Sequence, residues 1–180
     1  EKTVGKDPIS HLKTADFSNK QYGVRIGGPI IKNKLFFFLS GELSRIVQPT
    51  IYNAGEPGAL LTQQEAKDLS DTLKKRYNYD AGGYDRFNSQ TQSNKFFGRV
   101  DWNINEKNRL TIRHNYIKAY DDNISRSPTL FRFGNNAYRF NNKQNTSVAE
   151  LRSQLTNRIS NNLILSRQII RDYRTTYGQL

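Results

Sequence analysis

Cysteine is absent from the 180 residues, which excludes disulfides, thiolate metal sites and cysteine nucleophiles, while leaving the compartment open. Histidine is almost absent. His11 and His114 stand far apart, with no carboxylate at ligand spacing recurring around both, so neither a metal nor a catalytic role is expected. Methionine is missing even at position 1, as in a mature, processed or excised piece. Acidic residues are few, 16 against 28 Lys and Arg, and the net charge is +12. Long apolar runs are missing too: the longest, Leu35 to Leu39, falls far short of the ~20 residues of a membrane-spanning helix. Residues Glu1 to Pro8 lack the charged and apolar regions of a signal peptide. A hydrophobic fraction of 35% and a mean hydropathy of -0.80 are low for a domain filling one core. Aromatic residues are what the chain has: 10 Tyr, 10 Phe and 1 Trp argue against disorder.

These aromatics gather with β-branched residues in segments that alternate with polar positions, and short Asn, Gly, Lys and Glu clusters break them. The pattern predicts three hairpins, at about 21–46, 93–120 and 145–174. In the second, Phe96, Gly98, Val100, Trp102 and Ile104 share one face, and Phe97, Arg99, Asp101 and Asn103 the other. Its second arm sets Leu110, Ile112, His114 and Tyr116 against Arg113 and Asn115. In the first, Leu35, Phe37, Leu39 and Leu43 share a face, while Phe36 and Phe38 blur the alternation as interfacial aromatics would. The third is weaker: Ala149, Leu151 and Leu155 fit one face, and Ile169 and Ile170 fit neither.

Links within hairpins are about four residues, but those between them, about 47–92 and 121–144, are long. The first carries a capping box, Thr62-Gln63-Gln64-Glu65, followed by Ala66, Leu69, Leu73 and Tyr77 at helical spacing, which predicts a short amphipathic helix. Long strands with short turns at one end and long loops at the other have the layout of an outer-membrane β-barrel, where every backbone amide must be bonded within the sheet. A soluble antiparallel sheet packed on one face alternates equally well, and periodicity leaves both open.

Few residues suggest chemistry. Asp121-Asp122-Asn123 has oxygen ligands for a hard cation but neither the glycine nor the distal glutamate of an EF-hand, so it reads as a solvated loop. Gly27-Gly28-Pro29 lacks the residues of a phosphate-binding loop and reads instead as a backbone device, a bend at a rim and the end of a donor ladder. Nothing assembles a nucleophile, base and orienting group, so no enzyme and no cofactor are expected. The basic residues are scattered, as Arg25, Lys32, Arg99, Lys107, Arg113, Arg139, Arg152 and Arg167 show, and no nucleic-acid partner is expected.

The segment Gly27-Gly28-Pro29-Ile30-Ile31-Lys32-Asn33-Lys34-Leu35-Phe36-Phe37-Phe38, followed by Gly41-Glu42-Leu43-Ser44-Arg45, resembles the start of the barrel in TonB-dependent outer-membrane receptors of the Oar-like and SusC-like group of Bacteroidetes. Phe96-Phe97-Gly98-Arg99-Val100-Asp101-Trp102 through Thr111 is similar to the hairpin that follows. The resemblance implies an all-β fold of antiparallel up-and-down strands, part of a transmembrane barrel in the outer membrane. It implies a junction over 1–20 and partial barrel over 21–180. It also implies energised uptake of a nutrient or macromolecule, with membrane lipid, the receptor's own plug, the TonB complex and a surface lipoprotein as partners. No plug or TonB-box sequence is recognisable, and about six strands are too few to close a barrel, so a part of a longer receptor is expected. On this reading Arg99, Asp101 and Arg113 face the lumen or plug. Tyr52, Tyr79, Tyr84, Phe131 and Tyr138 are loop aromatics that either stack on a substrate or form the loops' own clusters. The competing expectation is a soluble, basic antiparallel β domain that binds anionic polymers.

Overall fold

The computed structural model describes residues 17–178. Six strands, β1 (Ser18–Ile31), β2 (Leu35–Pro49), β3 (Asn88–Asn105), β4 (Asn108–Asn123), β5 (Tyr138–Gln154) and β6 (Ser160–Thr176), form one sheet in sequence order. Every neighbouring pair is antiparallel. Helix α1 (Gln63–Tyr77) sits in the connection between β2 and β3. The fold is thus all-β and up-and-down, as expected. Of the junction expected over 1–20, residues 1–16 lie outside the described residues, as does His11, while Ser18 to Lys20 already pair with β2.

The strands run further toward the long loops than alternation predicted, taking in 18–20, 47–49, 88–92, 121–123, 138–144 and 175–176. In Asn88 to Gln92 and in Asn141 to Gln144 both faces carry polar residues, so no period of two marks them. Leu155, predicted on a strand face, falls in the turn after β5. Among the turns, Asn33 takes φ 61, a left-handed conformation that asparagine tolerates. The Asn103 N–H donates to the Lys34 carbonyl at 2.8 Å, tying the first turn to β3.

The register divides the sheet into two faces of opposite chemistry. Residues directly opposite one another share a face. One row reads Leu35, Trp102, Leu110, Leu151, Leu163, and the next Phe37, Val100, Ile112, Ala149, Leu165. With Tyr22, Val24 and Ile26 of β1 these make an apolar face that lies open: Val24 is 72% and Leu165 63% exposed. The opposite face carries Phe36, Asp101, Thr111 and Glu150 in one row and Phe38, Arg99, Arg113 and Val148 in the next. Phe36 and Phe38 therefore belong to the polar face and are not interfacial. The Phe38 ring meets Phe97 edge to face, centroids 6.0 Å apart.

Among the described residues the buried apolar side chains are Ala54, Ala66, Ala81 and Ala137, none of them within a strand. The sheet has no core of its own. Its open apolar face needs an apolar solvent, and lipid supplies one, with the polar face turned to a lumen. Along β4 the apolar face runs from Leu110 to Tyr116, with Lys118 beyond it toward the long loops. Trp102 lies at the short-turn edge of the band, and Tyr22, Tyr116, Tyr120 and Tyr173 lie at its loop edge, as interfacial girdles require.

Candidate functional site: an outward cap and an inward arginine strip

At the outward end the two long connections fold together, and Arg126 joins them. Arg126 is 8% exposed, and every hydrogen bond its guanidinium makes in the cap ends on an oxygen. Nη1 donates to the Asp85 carbonyl at 2.7 Å and to Asn53 Oδ1, Nη2 donates to the Gly83 carbonyl at 3.2 Å, and Nε to the Arg132 carbonyl at 3.0 Å. Burial presses the Arg126 pKa down while the charges of Glu56 and Asp85 oppose that, and arginine stays protonated regardless. Asn53, the largest fully buried side chain among the described residues, is held by Thr50: its Nδ2 donates to the Thr50 carbonyl at 2.8 Å and its Oδ1 accepts from Thr50 Oγ1 at 2.7 Å. Glu56 accepts from the Asn53 N–H and from Arg86, both at 3.1 Å. Partial burial works against the Glu56 carboxylate, but these hydrogen bonds outweigh it and hold its pKa below the ordinary range.

Helix α1 begins as predicted. The Thr62 hydroxyl accepts from the Glu65 N–H at 3.2 Å, and the Glu65 carboxylate accepts from the Thr62 N–H at 2.9 Å. Only part of its apolar stripe is covered. Ala66 is buried, whereas Leu69 is 46% and Tyr77 71% exposed.

The predicted loop aromatics do not form one surface. Tyr84 packs edge to face on Phe133, and Phe131 does the same, with centroids 6.3 and 5.3 Å apart. Arg126 lies over the Phe131 ring at 4.7 Å. Tyr84 and Phe131 therefore belong to the cap's own packing, organised by Phe133, which sequence reading did not single out. Tyr52 holds a left-handed φ of 58, its ring standing over Gly58, and Tyr79 lies beyond α1. Tyr138 is not a loop residue: it opens β5, with the Arg174 guanidinium 4.8 Å from its ring centroid.

The Asp121–Asn123 stretch is the end of β4 and no solvated loop. Asp122 is buried and bonded to Arg139 Nε at 2.6 Å and to the Tyr177 hydroxyl at 2.6 Å, so its oxygens are already engaged. Arg139 stacks on Tyr120 at 3.8 Å. Burial, together with the bond to the Asp122 carboxylate, pushes the Tyr177 phenol up to about 12.

On the inward face the structure brings Arg99, Asp101 and Arg113 together. Asp101 accepts from Arg99 Nε at 2.7 Å and Nη2 at 2.8 Å, from Thr111 Oγ1 at 2.8 Å and from Arg109 at 3.1 Å. A cavity of about 160 Å³ is lined by Arg99, Arg109, Thr111, Arg113, Glu150 and Arg152. Arg109, Glu150 and Arg152 were missed; Glu150 and Arg152 come from β5, which is distant in sequence and which only the register brings beside β4. Four arginines face two carboxylates. Arg113 lies directly opposite Arg99, and Arg152 directly opposite Arg109. A wider groove of about 890 Å³ opens at the short-turn end among Lys32, Lys34, Lys107, Arg109, Arg152 and Glu106. Among the described residues no cluster of His, Asp and Glu could hold a metal ion.

An open antiparallel meander with one lipid-exposed apolar face, one polar face, short turns at one end and an ordered cap at the other defines a wall of a transmembrane β-barrel. Residues 5–80, which include β1, β2 and α1, match the family model of an outer membrane beta barrel domain. The match covers less than half of the chain, and it agrees with the all-β, up-and-down fold and with an outer-membrane location. No curated protein and no solved structure matches the chain.

Proposed function

We propose that this barrel segment belongs to a TonB-dependent receptor, in which energised uptake displaces a plug lying against the inward face. The observation that carries the reading is the arginine strip. Like charges placed directly across a sheet repel, and Asp101 and Glu150 neutralise only half of the four arginines. Acidic and amide groups of a plug would complete the set, and the basic groove at the inner mouth extends the same surface. In this reading the outward cap, with Tyr52 and Tyr79 at the surface left by its internal packing, takes part in substrate capture or in contact with a surface lipoprotein. The TonB complex acts through the plug.

A porin with a water-filled lumen is the contrasting case, and thiol labelling separates the two. The sequence holds no cysteine, so R113C and K107C can each be placed alone in the full-length protein. With a plug in place, a membrane-impermeant maleimide reacts on the order of tenfold more slowly at position 113 than at the exposed turn residue 107. Equal rates at the two positions would mean an open, wet lumen and would sink the receptor reading.

A further inference from the structure

On the inward face opposite charges meet nearer the long loops, and like charges meet nearer the short turns. Lys95 lies directly opposite Glu42, and its Nζ reaches the carboxylate at 2.7 Å. One step toward the short turns, the row from β2 to β6 is uncharged: Ser40, Phe97, Asn115, Thr146 and Gln168. The arginine strip comes next, with Arg99 facing Arg113 and, two steps further, Arg109 facing Arg152. Like charges so placed repel unless an anion stands among them.

The carboxylates of the strip lie deeper than its cations. The Asp101 and Glu150 side chains are 14% and 12% exposed, whereas those of Arg109 and Arg152 are 51% and 67% exposed. A solute in the lumen therefore meets guanidinium first. Many of its donors are free, because a guanidinium carries N–H groups on each of its nitrogens. Arg99 spends Nε and Nη2 on Asp101, Arg109 spends Nη2 on Asp101, and Arg152 spends Nε on Glu150. Arg113 is exposed and makes no hydrogen bond or ion pair among the described residues, although it lines the same cavity.

Charge and room agree on what fits. Four guanidinium groups face two carboxylates, and a phosphate monoester brings about −2 charge at neutral pH with acceptor oxygens suited to arginine forks. A lone carboxylate brings half as much. The cavity of about 160 Å³ has the room of about five waters, enough for one such group, and no apolar side chain lines it. From the register, the depth of the carboxylates and the unspent donors we infer that Arg109, Arg113 and Arg152 bind the phosphate group of a solute in the lumen. The site is read from the wall alone; what the phosphate displaces there, an acidic group of a plug, rests on the receptor reading. Cargo and plug then compete for one set of donors, so that arrival of a phosphorylated cargo loosens the plug.

The test places a single cysteine, N115C, in the uncharged row of the full-length protein in detergent. Its reaction with a neutral polyethylene glycol maleimide is followed as inorganic phosphate, or glycerol 2-phosphate, replaces chloride at constant pH and ionic strength. With a plug over the wall, phosphate exchanges with it and the rate rises on the order of tenfold. With an open lumen, phosphate lies beside the thiol and the rate falls by about as much. Either change supports the site, and its sign decides the receptor reading separately. R113Q removes no hydrogen bond among the described residues and relieves the opposition to Arg99, so the fold is expected to survive it. It should raise the phosphate concentration required on the order of tenfold, R113K by less, and K118Q on the other face not at all. Equal responses to the two phosphates identify a phosphorylated cargo, and a response to inorganic phosphate alone identifies the free ion. A rate that stays constant, that changes equally with acetate, or that changes equally in R113Q would overturn the inference.

Discussion

Arg126 shows how one side chain can tie two long loops together above a sheet that has no core of its own. It is the junction of segments Asn53, Gly83 to Asp85 and Phe131 to Arg132, and a buried cation bonded mainly to carbonyls cannot be removed without leaving those oxygens unpaired. R126A is expected to cost the cap about 3–5 kcal/mol. Hydrogen exchange should show that loss within 50–87 and 124–137, with β1 to β6 still protected. Loss of protection through the strands would show that the cap is not a separate unit. Glu56 gives the same region a pH dependence. Its carboxyl is held below the ordinary range in the fold, so its stabilising share is present above that range and is lost as pH falls through the lower folded value. Proteolytic nicking near Asn53 should therefore rise on acidification below about pH 4, and E56Q should flatten that rise.

At the scale of the element, the β1–β2 hairpin depends on a missing side chain. A Cβ on Gly27 would lie 2.9 Å from the Phe37 carbonyl oxygen and 3.0 Å from Phe38 Cδ2, whereas one on Gly28 would meet nothing within 4 Å. Gly27 is the floor on which the inward Phe38 ring rests, and the ladder then breaks register between Pro29 and Ile31. G27V is expected to lower stability by about 1–3 kcal/mol in urea unfolding from bilayers, and G28V to leave it nearly unchanged. Equal effects would mean that the pair matters only as flexible backbone. Helix α1 was readable because its signal is local: Thr62 and Glu65 cap each other within one turn. Its partial exposure was not, because the cover that Leu69, Leu73 and Tyr77 find is decided by packing and not by spacing along the chain.

At the scale of the molecule, the two faces respond differently to the same charge. A lysine in place of Val100 enters lipid within the apolar band, at a cost of about 2–4 kcal/mol if near the midplane. A lysine in place of Asn115, on the polar face, stays in water or among polar groups and should change stability by about 0.5 kcal/mol or less. Urea unfolding of the full-length protein in vesicles compares them. Equal costs would mean that the faces have been assigned wrongly.

Sequence alone determined the hairpins, the short-turn and long-loop ends, the capped helix and the alternation of Phe96 to Ile104, because each is a pattern between neighbours along one chain. It lost the strand ends wherever both faces meet water, as in Asn88 to Gln92, and it misassigned Phe36, Phe38 and Tyr138. Tertiary structure alone decided what register and loop packing create. These are the pairing of Arg99 with Arg113 and of Arg109 with Arg152, the burial of Asp122 against Arg139, and the seat of Arg126. Each joins residues whose separation in the chain carries no period, so the contact exists only once the strands have chosen their partners.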